Sequence, residues 1–286
     1  MQHDGQNGER LLLVSATAME LAPLRRALTV AGVAEAVDLL VCGVGPTAAA
    51  ATLAAYLAQA TSPGGNAGGK PYSGVVLSGI GGLYPSHAAS PPVVGGDYDH
   101  PPDLLSLCLA EREILGDFGL AAPHGAEPFG HPELDVEREF ELASPLLSRA
   151  AEILRALGIP YYGGSFVTVN AASTTSRRGR ALADHYQALC ENMEGGAVAL
   201  VCRRWQLPLL ELRCISNLVE DRDLGRWQLA AALQRQAAVV GELLPRLLAP
   251  PPATTAPGRE TASHASQTLS RVNAANGGKR DADERR

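Results

Sequence analysis

The sequence predicts an α/β fold in which helices cover both faces of a largely parallel sheet, a three-layer α/β/α arrangement. Short, continuous apolar runs such as Leu11–Ala16 and Leu209–Ile215 have the composition of strands that are buried on both faces. Longer alanine-rich or amphipathic segments lie between these runs. Because the two kinds of segment alternate along the chain, βαβ units are the expected building blocks.

The composition is typical of a soluble globular protein and excludes several other classes of protein. The chain has 286 residues, 46% apolar and 19% charged, with a net charge of −6. This acidic balance argues against a nucleic-acid partner, which would require a basic patch. No apolar run is long enough for a membrane span, and the N-terminus lacks the order of a signal peptide. We therefore expect a cytoplasmic protein without membrane contact.

The five cysteines are scattered and form no CxxC or CxxH pair, and the histidines form no cluster with ligand spacing. We expect reduced core thiols, no metal and no cofactor. Composition divides the chain into a polar lead (1–9), one domain (10–249) and a tail (250–286). The tail is too polar to form a core and is predicted to be disordered.

The first half contains three predicted strands, each followed by a segment of interest. After Leu11–Ala16, the segment 17–28 enters a helix with Glu20 at the junction. After Val37–Cys42, a Gly-Val-Gly turn leads into a helix from Ala48 to about Gln59. Only two glycines of a dinucleotide fingerprint are present, so tight packing is favoured over nucleotide binding. After Val75–Leu77, the glycine-rich stretch 78–82 is predicted as a loop close to a ligand, with a plain tight turn as the alternative.

The middle of the chain has weaker patterns. Loops are predicted at 61–72, 87–103 and 121–132, and the segment 104–115 fits either a helix or a strand edge. Clearer patterns predict a helix at 145–157, a strand at 164–170 and a helix at 178–189.

The segment from Glu191 to Asp223 is the part around which we expect the site to form. A turn carries Met193 and Glu194 into a short helix, and the strand Leu209–Ile215 then ends in Ser216-Asn217. A long helix follows Trp227. Ligands of α/β proteins bind beyond the carboxyl ends of the strands, so a carboxylate and a carboxamide are expected to face one pocket.

Six motifs in this order resemble one known family: ATAMEL, CGVGPTAAAA, SGIGGLYP, FVTVN, ENMEGGAVA and LRCISN. The series is similar to that of the nucleoside phosphorylase and nucleosidase superfamily over about residues 10–248. The extended form RCISNLVEDRD with a following tryptophan most resembles a hydrolase branch that acts on an inosine derivative in an alternative menaquinone pathway. The resemblance implies a twisted mixed sheet surrounded by helices, a small nucleoside substrate and assembly as a homo-oligomer.

The resemblance also implies roles for individual residues. Glu20 matches the carboxylate that activates water, Glu194 the glutamate that binds ribose hydroxyls, and Asn217 the position that contacts purine N7. Met193 matches a methionine that packs on the sugar, and Arg213 lies in the same motif as Ser216. The predicted catalytic residues are Glu20 and Asn217, and the predicted substrate-binding residues are Gly79, Ile80, Gly81, Phe166, Val167, Met193, Glu194 and Ser216. The segment 171–175 lacks the stacking aromatic of the family, so Phe166, Trp227 and Arg222 are expected to supply the missing contacts.

The residue types fit cleavage of a bond between sugar and purine. A general base takes a proton from water, and Glu20 is the candidate; a solvated glutamate at a helix N-terminus is the alternative. Glu194 would bind ribose hydroxyls and place negative charge near a developing cation, with helix capping as its alternative.

Asn217 stands where adenine-specific nucleosidases have an aspartate, and this difference bears on the base. A carboxamide donates to N7 or O6 of a 6-oxopurine, whereas an aspartic acid protonates N7 of adenine. The sequence therefore favours hypoxanthine or guanine over adenine.

In phosphorylases of the superfamily that this chain resembles, the loop after the first strand supplies a phosphate-binding arginine. Here the corresponding loop carries Glu20 and no arginine, so water is the expected nucleophile. The alternatives are a purine nucleoside phosphorylase, a methylthioadenosine-type nucleosidase and a non-catalytic nucleoside-binding protein.

Overall fold

The computed structural model describes residues 10–61, 72–85, 93–94, 100–122, 125–134, 136–220 and 223–250. Five predictions made from the sequence lie wholly or largely outside these ranges. They concern the polar lead, the loops at 61–72 and 87–103, the contact from Arg222, and the tail from residue 251 onward.

The described chain alternates strands and helices from its start to its end, as the sequence predicts. The strands are β1 (Leu11–Ser15), β2 (Val37–Val41), β3 (Gly74–Leu83), β4 (Val93–Val94), β5 (Leu107–Leu115), β6 (Leu120–Ala122), β7 (Gly125–Glu127), β8 (Glu139–Glu141), β9 (Tyr162–Thr168), β10 (Ala188–Asn192) and β11 (Leu209–Leu218). The helices are α1 (Ala18–Val30), α2 (Pro46–Ala60), α3 (Pro145–Ala156), α4 (Ser176–Tyr186), α5 (Gly195–Trp205) and α6 (Leu229–Leu248).

The main sheet is mixed, in the order β10-β9-β5-β11-β3-β1-β2. Strands β1, β2, β3 and β11 run parallel to their neighbours in this group, whereas β5 is antiparallel to β11. Strand β10 pairs with both β9 and β3, so the pairings β3-β11-β5-β9-β10 close into a ring. The long strand β3 therefore has neighbours on both sides over much of its length, and its end is a meeting point for several elements.

Helices cover both faces of the sheet, and the alternation of side chains along β1 shows how. Leu12 and Val14 face the cluster that contains residues of α2 and α5, such as Leu53 and Val198. Leu11 and Leu13 face the opposite cluster, which contains residues of α1, α3 and α6. Because successive strand residues point to opposite faces, a strand with helices on both sides is apolar throughout. The predicted α/β/α layers and the mixed sheet are confirmed.

Three local predictions are wrong. The glycine-rich stretch 78–82 is not a loop but the second half of β3. The predicted helix 178–189 ends at Tyr186, where Gln187 adopts a left-handed conformation (φ 49°), and the chain then forms β10 instead of a turn. The segment 121–132 contains the short hairpin β6–β7.

The undecided segment 104–115 is resolved as the strand β5. In the described part of the chain, no helix is long and apolar enough to cross a membrane.

Candidate active site

A cavity opens where β1, β3 and β11 end and where helices α1 and α5 begin. Its volume is about 380 Å³, within the range of about 300–1,000 Å³ that is usual for small-molecule sites. Both polar side chains that the sequence places at strand ends, Glu20 and Asn217, lie in its wall. The described lining residues are Ala16, Thr17, Met19, Glu20, Val44, Ile80, Gly81, Gly82, Ala172, Ser173, Thr174, Glu191, Asn192, Met193, Glu194, Arg213, Ser216, Asn217 and Trp227.

Glu20 is held in a fixed orientation at the start of α1. Its Oε2 atom accepts hydrogen bonds from the backbone N–H and the hydroxyl of Thr17, at 2.9 and 3.0 Å, and Thr17 in turn caps the helix. Its Oε1 atom accepts the N–H of Ile80 at 3.2 Å. The side chain is buried and yet lines the cavity. Glu20 is therefore a capping residue, but it is not the solvated one that the alternative interpretation requires.

Arg213 is the centre of the polar network behind the cavity. Its Nε atom donates to Glu211 at 2.9 Å and its Nη1 atom donates to Glu194 at 3.3 Å; both partners are almost completely buried. Nη1 also donates to the carbonyl of Ile80 at 3.2 Å. Because Glu211 and Glu194 share it, the guanidinium stays charged and fixes the positions of both carboxylates.

Glu194 occupies the N-cap position of α5 without capping the helix through its side chain. The first N–H groups of this helix are satisfied by Asn192, whose Oδ1 accepts from Glu194 and Gly195 at 2.9 and 2.7 Å, and by the hydroxyl of Thr168. Since those groups are satisfied otherwise, the carboxylate of Glu194 is free to accept from Gly45 N–H at 3.1 Å and from Arg213. The interpretation of Glu194 as a helix cap is thus not supported.

A further buried carboxyl group, that of Glu113, lies beneath the N-terminus of α5. It accepts hydrogen bonds from Thr168 and from the amide of Asn192. A Cβ built on Gly195 would lie 1.9 Å from Glu113 Oε1 and 2.5 Å from Glu211 Oε2, which shows how closely both carboxyl groups approach this glycine. Burial, and next the negative charge of Glu211, raise the pKa of Glu113 well above its ordinary value. A proton on Glu113 supplies a donor for Glu211 Oε2, which otherwise has no partner among the described residues.

The variant Glu113→Gln tests this proton. Above about pH 4.3 the unfolded chain releases this proton, whereas the folded wild type keeps it. The free energy of unfolding of the wild type therefore decreases as the pH rises above this value, by up to about 1.4 kcal/mol per pH unit. The variant carries no such proton and should gain stability relative to wild type as the pH rises. Urea unfolding at several pH values measures the difference, with the exposed helix residue Glu152 changed to Gln as the control. Parallel pH profiles for wild type and Glu113→Gln would contradict the assignment.

The amide of Asn217 has a defined orientation at the end of β11. Its Nδ2 atom donates to the carbonyl of Leu218 at 3.2 Å, and its Oδ1 atom accepts the hydroxyl of Ser216 at 2.9 Å. The carbonyl of Leu218 only accepts, which fixes the NH₂ group on that side. Among the described residues, the other N–H of the amide has no acceptor, and Asn217 lines the cavity.

The other predicted site residues divide into two groups. Ile80, Gly81, Met193, Ser216 and Trp227 line the cavity, and Gly79 lies directly behind it, where a Cβ would come within 2.9 Å of Glu20 Oε1. Phe166 and Val167 do not line it. Both are completely buried in the apolar core, because β9 is covered on both faces. The prediction that Phe166 and Val167 contact the substrate is therefore wrong.

Sequence reasoning missed two parts of the cavity wall. One is the segment Ala172–Thr174, which lines the cavity although it carries no aromatic residue. The other is Glu191, whose carboxylate accepts the N–H and the hydroxyl of Ser173 at 2.7 and 2.6 Å and the hydroxyl of Tyr84 at 3.0 Å. The position of Glu191 three residues before Glu194 was the available signal. Among the described residues, no group of three or more His, Cys, Asp or Glu side chains has the arrangement of a metal site.

The cavity wall combines two buried glutamates at helix starts, Glu20 and Glu194, with the amide of Asn217 at the end of β11. Together they define a site for a small polar ligand on a mixed α/β scaffold. The chain belongs to the phosphorylase superfamily, whose family model matches residues 29–249. Within that superfamily it is similar to the futalosine hydrolase of Streptomyces coelicolor, with 34% identity over 73% of this chain and 79% of the relative. It is also similar to the futalosine hydrolase of Thermus thermophilus, with 33% identity over 71% of this chain and 78% of the relative.

A solved structure agrees with this assignment at the level of the fold. The structure of a futalosine hydrolase mutant from Helicobacter pylori superimposes with a TM-score of 0.64, covering 84% of this chain and 98% of that one, at 18% identity. The resemblance inferred from the motif series is confirmed.

Proposed function

We propose that this protein hydrolyses the N-glycosidic bond of futalosine and releases hypoxanthine, as a step of menaquinone biosynthesis. The observation that carries the proposal is the side chain of Glu20, a buried carboxylate in the cavity wall whose two oxygens are oriented by Thr17 and Ile80. The curated relatives named futalosine hydrolase support the choice of substrate.

Each of three side chains has one role in the proposed reaction. Glu20 removes a proton from water as the oxygen bonds to the anomeric carbon of the sugar and the bond to purine N9 breaks. Glu194 accepts hydrogen bonds from ribose hydroxyls, and its charge stabilises the oxocarbenium-like transition state. Asn217 has no acidic proton. It stabilises the departing base by donating its free N–H to N7 or O6, and the base takes its proton from solvent.

The charges of the cavity favour water over phosphate as the nucleophile. Arg213 is the one cation among the described lining residues, and its donors are directed at Glu211, Glu194 and the carbonyl of Ile80. A phosphate ion would meet Glu20 and Glu194 without a free cation to offset them. Binding an anion beside buried carboxylates is unfavourable where the nearby cation is already paired.

We also propose that residues 10–249 are the catalytic domain and that the protein acts as a cytoplasmic homo-oligomer. All five cysteines are free and buried, which suits a reducing compartment. Met19 and Val44 are more than half exposed at the edge of the cavity, an apolar surface that suits coverage by a second copy. Light scattering during gel filtration measures the oligomeric state, and a monomer at working concentration would contradict this part.

Release of free base from futalosine in phosphate-free buffer tests the proposed function. We expect rapid release of hypoxanthine from futalosine and slower release of base from inosine, aminofutalosine and methylthioadenosine. Turnover that requires added phosphate would make the protein a phosphorylase. Preference for an adenine nucleoside would contradict the assignment of Asn217, and release from none of the four would remove the proposed activity.

A further inference from the structure

Glu191 is a carboxylate in the cavity wall to which the proposed reaction gives no role. Its side chain is almost completely buried, yet it lines the same cavity as Glu20 and Asn217. Burial raises the pKa of the Tyr84 phenol well above its usual value, so this hydroxyl keeps its proton and donates to Glu191. With Ser173 also donating twice, Glu191 faces the cavity as an acceptor.

The hydrogen-bonding capacity of Glu191 is not exhausted by these partners. Ser173 Oγ and Tyr84 Oη donate to Oε2, whereas the described donor to Oε1 is the backbone N–H of Ser173. An ionised carboxylate has about four lone-pair sites, two on each oxygen. Oε1 therefore has one acceptor site available for a ligand.

The register of the sheet places Glu191 and Asn217 on either side of one glycine. Gly82 in β3 is the partner of Glu191 in β10 and of Asn217 in β11. With neighbouring strands about 4.8 Å apart, the two side chains begin about 10 Å from each other. Gly82 itself lines the cavity, and a Cβ there would lie 2.8 Å from Val219 Cγ2 and 3.3 Å from Asn217 Nδ2.

We propose that Glu191 is a specificity residue that accepts the N1–H of a 6-oxopurine base, opposite the amide of Asn217. The inference rests on the proposed function and deepens it by naming the second group that reads the base. A 6-oxopurine has acceptors at N7 and O6 and a donor at N1, which matches a donor on one side of Gly82 and an acceptor on the other. Adenine has a lone pair at N1, so a carboxylate there meets an acceptor and leaves both unpaired.

Glu191 also holds Ser173 in the cavity wall, and a test must separate the two roles. The variant Glu191→Gln changes the group that would face N1, because an amide donates to adenine N1 as well as accepting from N1–H. The variant Tyr84→Phe removes a support of Glu191 without changing the atom that would face the base. A role limited to positioning Ser173 would weaken the binding of all bases alike in both variants.

Calorimetric titration with the free bases hypoxanthine and adenine measures this difference without turnover. We expect wild type to bind hypoxanthine about 10- to 100-fold more tightly than adenine, as a hydrogen bond to a charged acceptor implies. Glu191→Gln should reduce this ratio by about tenfold or more, whereas Tyr84→Phe should retain most of it. An unchanged ratio in Glu191→Gln, or an equal loss in both variants, would overturn the inference.

The same proteins separate this inference from the proposed function. Wild type that prefers hypoxanthine but releases base from no nucleoside would contradict the proposed function and leave the role of Glu191 standing. Wild type that hydrolyses futalosine while Glu191→Gln keeps the full base preference would contradict the inference alone.

Discussion

Glu20→Gln should lower kcat for base release by about 10²- to 10⁴-fold, the usual contribution of a positioned general base. The amide has the same shape, but its single oxygen can replace only one of the two carboxylate oxygens that accept from Thr17 and Ile80, whose N–H groups lie 2.9 and 3.2 Å away. It has lost the basicity needed to take a proton from water. The affinity for the product base should change little, since Glu20 is assigned to the water and not to the purine.

Steady-state kinetics with futalosine and thermal unfolding of the same preparations measure the two consequences. Glu152→Gln, an exposed change on α3 away from the cavity, is the matched control and should keep wild-type turnover. A Glu20→Gln protein that is folded and turns over within a few fold of wild type would show that another group activates water.

Arg213→Met should produce the largest loss of stability of any single change at the site, roughly 3–5 kcal/mol, because it leaves buried charges without their partner. Glu211 and Glu194 are completely or almost completely buried, and Arg213 is the ion-pair partner of both. Methionine fills a similar volume, so loss of charge and hydrogen bonds dominates over loss of packing.

Urea unfolding measures this loss, and two further variants show its cause. Arg246→Met removes an exposed pair with Glu242 on one helix and should cost only about 0.2–0.5 kcal/mol. Adding Glu211→Gln to Arg213→Met removes one of the orphaned charges and should restore part of the stability. If Arg213→Met were no more destabilising than Arg246→Met, the network would not hold the site together.

The fold could be predicted from the sequence to the level of its layers, because buried strands have a direct signal in composition. Runs such as Leu11–Ala16 are apolar on both faces, and the structure has helices on both faces of β1. The glycine stretch 78–82 was misinterpreted because glycine usually marks a turn. Here the glycines allow close approach inside a sheet: a Cβ on Gly81 would lie 2.5 Å from Cys190 Sγ.

Site residues could be predicted only where a polar side chain follows a strand and its chemical type has an evident use in the reaction. Glu20 and Asn217 follow strands, and the structure places both in the cavity. Phe166 was expected there because a purine site lacked an aromatic residue, but its strand is covered on both faces. The relation of Glu191 to Asn217 could not be predicted, because it depends on the pairing of β10 and β11 with β3, and pairing between distant strands leaves no local pattern in the chain.

In the proposed reaction, water oriented by Glu20 attacks the sugar. Turnover of futalosine in ¹⁸O-labelled water, followed by mass spectrometry of both products, tests it directly. We expect one labelled oxygen in the sugar product, none in hypoxanthine, and the same rate with or without phosphate. A sugar product without the label, or a sugar phosphate formed when phosphate is present, would contradict it.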